Sequence, residues 1–441
     1  MGSENYPLRN SGVYHNLPQF DPSTKDLTAI ITGAWGISGF GTLCALLDSP
    51  HRWSKIYTIS RSPPPKPMLK LLPVELCSRI QHVACDFVSA TPEQIASTLK
   101  DAGVTADYIF YYSYSQPRPD PGADAWSNDE QLVKVNASML SNFLQALSLT
   151  DVKPKRFLLQ TGGKHYGVHI GRARTPCLES DPQPRHLAPN FYYAQEDMLF
   201  EFCAKNGIGW NSRPPWIIGP TTSAAMNAIY PFAVYAAVAA ERGLPLVFNG
   251  TWDTWQDCQH HGTALLTGYL SEWAVLEDKC KNEAFNSQDT SPFSWDRFWE
   301  ELVRWFNIGE GIVPPQEDEG NMIEIAVGGA TATPMGYGPP VRTKLAFTML
   351  SWAQDPENAK AWKAIMERHG LTHDPFQDVQ GNFVFADVQF IKAGPVGMNK
   401  ARRLGWTGFV DTMESIFEMY TKMNELGMLP PMEVDRPKAL V

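Results

Sequence analysis

The sequence predicts an α/β protein: a doubly wound parallel sheet followed by a smaller, mainly helical lobe. Three observations carry this. Short apolar, β-branched runs recur between stretches of helical period, as strands covered on both faces should. The first run, 27–32, passes directly into a glycine triad and a helical pattern. After Pro220 the texture changes to small-residue and aromatic helical patterns. The 441 residues are enough for a full sheet domain and a second lobe. The chain therefore divides into an N-terminal arm (1–24), a sheet domain (25–220) and a lobe (221–441) that returns one strand, 283–286, to the sheet.

Composition narrows the classes of function. A net charge of -10 argues against a general affinity for nucleic acid or an anionic membrane. The seven cysteines contain no Cys-x-x-Cys pair and fit a reducing compartment. No run approaches a membrane span, and the start MGSENY lacks the basic and apolar regions of a secretory signal. The expectation is a soluble, cytoplasmic protein, with a homodimer left open. His260 and His261 are adjacent with no Cys/His spacing around them, so no metal is expected. Asn136-Ala-Ser138 and Asn249-Gly-Thr251 match a glycosylation pattern that arises by chance at this length.

In chain order, residues 1–24 are polar, carry two prolines and show no period. The strand 27–32 meets Gly33-Ala-Trp35-Gly36-Ile37-Ser-Gly39, then a helical pattern. Glycines at this spacing permit a tight turn, close approach of backbone to a pyrophosphate, and close packing of helix on strand. That places Gly33, Trp35, Gly36, Ile37 and Gly39 at a dinucleotide; the bland reading is a glycine turn with no ligand. The second strand, 55–60, ends in Ser60-Arg61-Ser62. An NAD site wants an acid there, whereas a guanidinium between hydroxyls suits a 2′-phosphate, so NADPH is the expected cofactor. The third strand, 82–85, ends at Asp86-Phe87, where the acid reads either as an adenine contact or as a cap of the next helix.

The fourth strand, 107–112, leads to Ser113 beside the nicotinamide half, and then to Tyr114. Residues 129–149 form an amphipathic helix whose Asn136 reads as a polar residue bonded within the packing or as a catalytic group. The fifth strand, 157–160, runs into Thr161-Gly162-Gly163 and presents Lys164; a helix opening on Tyr192-Tyr193 follows. A sixth strand spans 208–212. Beyond it lie a helix over 227–240, a short strand at 246–248, an irregular Gly/Pro-rich segment over 309–340, and helices near 343–368 and 408–424. The tryptophans of this half read as core sooner than as pocket.

A dinucleotide with a phenol and an ammonium suggests hydride transfer. The usual pairing, a Tyr four residues before a Lys on one helix, is absent: Glu196 and Asp197 stand four after Tyr192 and Tyr193. Carboxylates that close would raise a phenol's pKa, so the cation must come from elsewhere, and Lys164 is its natural source. A surface lysine with two packing tyrosines fits the same spacing.

Taken together, GAWGISG, SRSP, CDF, FYYSYS, QTGGKHYG, NFYYAQED, KNEAFN with FSWDRFW, and FADV resemble the progesterone 5β-reductase/iridoid synthase-like (PRISE) family. These are atypical extended short-chain dehydrogenases with a Rossmann domain. The resemblance implies NADPH-dependent 1,4-reduction of an enone or enal, with the catalytic pair on Lys164 and Tyr193, Thr161 and Lys164 at the cofactor, and Tyr192 packing. The chain departs from the family's pattern at Val168-His169-Ile170, at Ser113-Tyr114 and in a longer segment after Gly309. Those departures fall on the substrate side. Tyr114, His169, Ile170 and Phe385 of FADV are accordingly the substrate candidates, for a small hydrophobic carbonyl compound. A carbonyl reductase or epimerase, a redox-neutral catalyst and a non-catalytic NADP(H)-binding regulator are the alternatives on the same scaffold.

Overall fold

The computed structural model describes residues 7–117, 128–213, 217–222, 226–316, 321–327, 333–391 and 394–438. Its centre is a sheet of seven parallel strands, numbered here in chain order: β1 (Leu27–Thr32), β2 (Trp53–Ser60), β3 (Ile80–Ala84), β4 (Tyr108–Tyr111), β5 (Arg156–Gln160), β6 (Gly209–Arg213) and β7 (Glu283–Ala284). Their spatial order is β7-β6-β5-β4-β1-β2-β3, every neighbouring pair parallel. Strand order reverses between β1 and β4, which opens the crevice where such sheets take ligands. This is the Rossmann architecture that the alternating pattern implies, including the late return of β7.

Both faces are covered, which is why β1, β4 and β5 read as unbroken apolar runs. Alternate side chains go to opposite layers. Ile30, Ile109, Phe157 and Leu159 pack under α2 (Pro92–Asp101), α3 (Asp129–Ser148) and α4 (Phe191–Asn206). Ala29, Ile31, Phe110 and Leu158 face the layer of α1 (Ile37–Leu47). Phe143 of α3 is fully buried against Phe87 and Phe157, and its loss to alanine would cost about 3–5 kcal/mol.

Helix α1 crosses α6 (Ala264–Leu276) at backbone contact, after α5 (Tyr230–Arg242) has begun the second half. A β-carbon on Gly41 would stand 2.3 Å from the Ala264 carbonyl oxygen, and one on Gly268 would stand 2.6 Å from the Gly41 oxygen. The pair of glycines thereby docks the second half onto the sheet. Its core is aromatic: Phe232 of α5 meets Trp295 and Trp299 of α7 (Trp295–Trp305) at 5.3 and 5.4 Å, all buried. These rings are core, as the sequence reading has them.

Three expectations are corrected. The N-terminal arm is structured from residue 8: Leu8–Ser11 and Tyr14–Pro18 form an antiparallel pair, joined by Phe409–Val410, and Tyr14 and Leu17 are buried. Its apolar positions are too few to show a period, and the burial comes from a segment almost four hundred residues later. The Gly/Pro-rich segment, as far as it is described, is not wholly irregular, because Ile323–Val327 pairs antiparallel with Val341–Leu345. The helical pattern assigned from 343 therefore starts late, with helices at Met349–Ala353 and Pro356–His369. Val-Arg-Thr-Lys-Leu alternates buried and exposed, a period of two that a helical window averages away. Asn136 and Asn249 are both fully buried, so neither matches a glycosylation acceptor in its surroundings.

Candidate functional site

The crevice has a backbone side and a side-chain side. On the first, β1 ends at Gly33, whose φ of 65° is left-handed and whose absent β-carbon leaves room for the Tyr112 carbonyl at 2.9 Å. A β-carbon on Gly39 would lie 2.2 Å from the Gly33 oxygen, so the turn closes only on glycine. Gly36 is the N-cap of α1 and no side chain caps the helix start, leaving its N–H groups for an anion. Ile37 opens the helix, and Trp35 is buried against Phe40, its indole nitrogen without a hydrogen-bond partner among the described residues. This cradle fits a dinucleotide's pyrophosphate. At the end of β2, Ser60 donates to the Ser62 carbonyl at 2.9 Å and Arg61 is exposed beside them, with no acid at that turn.

Asp86 and Phe87 follow the end of β3. Asp86 accepts from the Val88 amide at 3.0 Å and the Ser89 hydroxyl at 2.9 Å, which closes a turn, whereas Thr91 caps the next helix. Phe87 is buried and stacks on Tyr111, so its ring is core. After β4, the amides of Tyr112 and Ser113 donate to the Thr32 hydroxyl at 3.2 and 3.3 Å, which fixes the opposite lip of the crevice. Asn136 resolves as a clamp: its carbonyl oxygen accepts from the Ser115 amide, and its amide nitrogen donates to the Ser115 and Leu132 carbonyls. Gln195 of α4 in turn donates to the Asn136 carbonyl at 3.0 Å.

The side-chain side is built on β5 and α4. Gln160 closes β5 and donates to the Ser38 hydroxyl of α1 at 2.8 Å, across the crevice. Thr161 is buried, and a single turn, Gly163–Tyr166, then carries Lys164, half-buried. Burial pulls the Lys164 ammonium below its ordinary pKa, with Asp129 opposing. Asn190, the N-cap of α4, accepts from the Tyr192 amide at 3.0 Å and donates to the Lys164 carbonyl at 2.9 Å. One residue thus sets both the first turn of the helix and the loop that presents the lysine. Its only signal in the sequence is the preference for asparagine before a helix.

Successive helix residues point about 100° apart, so Tyr192 and Tyr193 cannot both face the crevice. Their hydroxyls lie in different surroundings. Tyr193 is 4% exposed; its hydroxyl donates to the His165 carbonyl at 2.9 Å, and the Arg185 guanidinium covers its ring. Burial pushes its phenol up to about 12. The Tyr192 hydroxyl instead lies over Gly162, 2.5 Å from where a β-carbon there would be. Burial, then the neighbouring Tyr114, raises the Tyr192 phenol, so it stays protonated near neutrality. Tyr114, Phe191 and Tyr192 form an aromatic row, with ring separations of 5.7 and 4.3 Å, and Tyr114 also bonds Gln116. The phase of the helix, which residue types do not show, sets which of the two hydroxyls lies over Gly162.

Behind the lysine, Glu196 is buried, accepts from Ser212 and from Gln183, and lies 3.7 Å from the His165 ring. Burial holds the His165 imidazole down at about 4, neutral at physiological pH. His169 and Ile170 follow within the same loop, half-buried. Burial, then Lys164, lowers the His169 imidazole to about 4, so it is neutral near pH 7. Phe385 is half-buried on the helix Val379–Asp387. Among the described residues no group of three or more His, Cys, Asp or Glu could hold a metal ion, and no helix is long and apolar enough to cross a membrane.

The chain resembles known proteins over most of its length. Residues 101–328, more than half of the chain, match the model of the PRISE-like Rossmann-fold domain. The chain is 28% identical to a short chain dehydrogenase, gsfE, of Penicillium aethiopicum, covering 91% of this chain and 99% of the relative. It is 27% identical to the (S)-8-oxocitronellyl enol synthase ISY1 of Nepeta cataria, covering 93% and 95%. It is 26% identical to the 3-oxo-Delta(4,5)-steroid 5-beta-reductase of Arabidopsis thaliana, covering 94% and 96%.

Proposed function

The chain belongs to the PRISE-like Rossmann-fold family, and from that premise we propose that it is an NADPH-dependent oxidoreductase of the cytoplasm. Its reaction is the 1,4-reduction of the activated C=C bond of a small hydrophobic enone or enal. The observation that carries the proposal is the placing of one protonated phenol, Tyr192, over Gly162, beside the turn that presents Lys164 and across the crevice from the glycine cradle. The steroid reductase's name describes an enone, a 3-oxo group conjugated to a 4,5 double bond, and this chain is 26% identical to it.

The residues divide the work. Gly33, Gly36 and Gly39 with the start of α1 would hold the pyrophosphate, Arg61 with Ser60 and Ser62 the 2′-phosphate, and Ser113 and Thr161 the nicotinamide end. Bound there, the nicotinamide supplies a hydride to the substrate's β-carbon. The Tyr192 hydroxyl donates a hydrogen bond to the carbonyl oxygen while that oxygen gains negative charge. The Lys164 ammonium, immobilised in the same turn, adds a fixed positive field. The α-carbon then takes a proton from solvent, which balances the reduction. Tyr114 and Phe191 offer the apolar wall.

The test is NADPH oxidation by the purified protein against enals, cyclic enones and simple ketones, with products read by NMR. A saturated carbonyl product formed one-for-one with NADPH consumed is the expected outcome. An allylic alcohol would make the protein a carbonyl reductase, and product without NADPH consumption would make it redox-neutral. NADPH binding without turnover of any acceptor would leave a regulator.

A further inference from the structure

The segment 333–340 leads into the ribbon of Ile323–Val327 and Val341–Leu345. It lies on the loop that leaves Lys164. Gly167 has a φ of 76°, and its amide donates to the Lys164 carbonyl at 3.1 Å. A β-carbon on Gly167 would be 2.6 Å from the Met335 sulfur, and one on Gly171 would be 2.6 Å from Pro334 Cγ. Both approaches exist because glycine stands in the loop. A further tie runs from the Arg172 Nε to the Pro339 carbonyl at 3.1 Å. Met335 also packs with Val168 and Val396 on the buried Tyr166, Ala173 and Cys177. Enclosed in this same loop are His169, whose Nδ1 has no hydrogen-bond partner among the described residues, and Ile170.

Nothing in the Rossmann scaffold requires such a cover, since the sheet, its helices and the glycine cradle are complete without it. We propose that Met335, with Pro334, determines which substrate enters beside Lys164: it braces the loop 167–171 from outside and so sets the width of the substrate wall. Met335 is thus a specificity-determining residue that acts through the loop. A thioether suits the task, because it fills an irregular gap against glycine without a fixed shape. This inference rests on the enone-reductase reading for the class of substrate.

The experiment uses the full chain and its Met335→Ala and Met335→Phe variants. Each is given a graded series of acceptors, from short enals to fused-ring enones, and kcat/KM is taken from NADPH oxidation. A side-chain change of this size in an apolar wall is worth roughly tenfold in discrimination. Met335→Ala is expected to raise the ratio of bulky to slim acceptors about tenfold and Met335→Phe to lower it, with NADPH affinity within about twofold of wild type. Ratios unchanged in both variants overturn the proposal. Should the wild type turn over no acceptor, the enone-reductase reading falls. The cover is then decided on the NADP⁺-loaded protein, by whether the same molecules' melting-temperature shifts change their size order between wild type and Met335→Ala. An unchanged order rejects the cover as well.

Discussion

The two sides of the crevice are made of different material. The glycine side is backbone: Gly33, Gly36 and Gly39 act through the absence of a side chain and through the bare start of α1. The phenol side is assembled from side chains of separate segments, Lys164 on the turn after β5 and Tyr192 on α4, coupled by Asn190. At Gly33 and Gly39 a backbone site tolerates almost no substitution, because a β-carbon there would collide with main chain. A side-chain site can lose one member and keep its shape, so its failures are chemical and graded.

The largest effect expected is at Gly39. With a β-carbon 2.2 Å from the Gly33 oxygen, Gly39→Ala must open the turn, and titration by NADPH fluorescence should show no measurable binding. Retained affinity would mean that the cofactor is not held there. Next comes the pair of tyrosines. Tyr192→Phe should lower kcat about 100-fold, the ~3 kcal/mol of an oxyanion donor, with NADPH affinity kept. Tyr193→Phe should leave kcat within about threefold and cost ~1 kcal/mol in urea unfolding, since it loses one bond to the His165 carbonyl. The opposite ranking would return the catalytic role to Tyr193.

A smaller effect concerns pH. In the proposed mechanism Lys164 acts as the ammonium, and burial lowers its pKa from 10.5, so activity should fall as pH rises through that lowered value. Lys164→Arg, which stays charged, should move this alkaline limb upward; a limb that does not move would assign it to another group. The smallest effect lies away from the crevice. Asp289 is buried, accepts from the Thr263 amide and hydroxyl, and burial raises its carboxyl from 3.8 to about 7. The native state therefore binds more protons than the unfolded chain between those values, and stability from this group falls as pH rises through that window. Going from pH 8 to 6 should add on the order of 1 kcal/mol, or about 1–2 °C in Tm, and Asp289→Asn should flatten that gain in calorimetry.

The contrast between the two sides also explains what could be read in advance. The glycine triad follows an apolar strand and precedes a helical pattern, so residue type and local context suffice to recognise it. The strands of the sheet were legible for the same reason, burial on both faces leaving unbroken apolar runs. Asp86 and Phe87 were not, because a carboxylate after a strand looks the same whether it meets an adenine or caps a turn. The hairpin of Leu8–Ser11 and Tyr14–Pro18 escaped notice because the third strand of its sheet, Phe409–Val410, lies in no local window with it.

Residue types and their neighbours along the chain thus determine the doubly wound sheet, the cradle at Gly33–Gly39 and the presence of a lysine and two tyrosines at its far edge. Which tyrosine faces the crevice is decided only in three dimensions. It depends on the phase of α4, which Asn190 sets by holding the Tyr192 amide and the Lys164 carbonyl at once. The covering of the lysine loop by Met335 is decided there too, through close approaches to Gly167 from a segment some 170 residues downstream. Periodicity records whether a side chain is buried; it carries no record of which distant atoms do the burying.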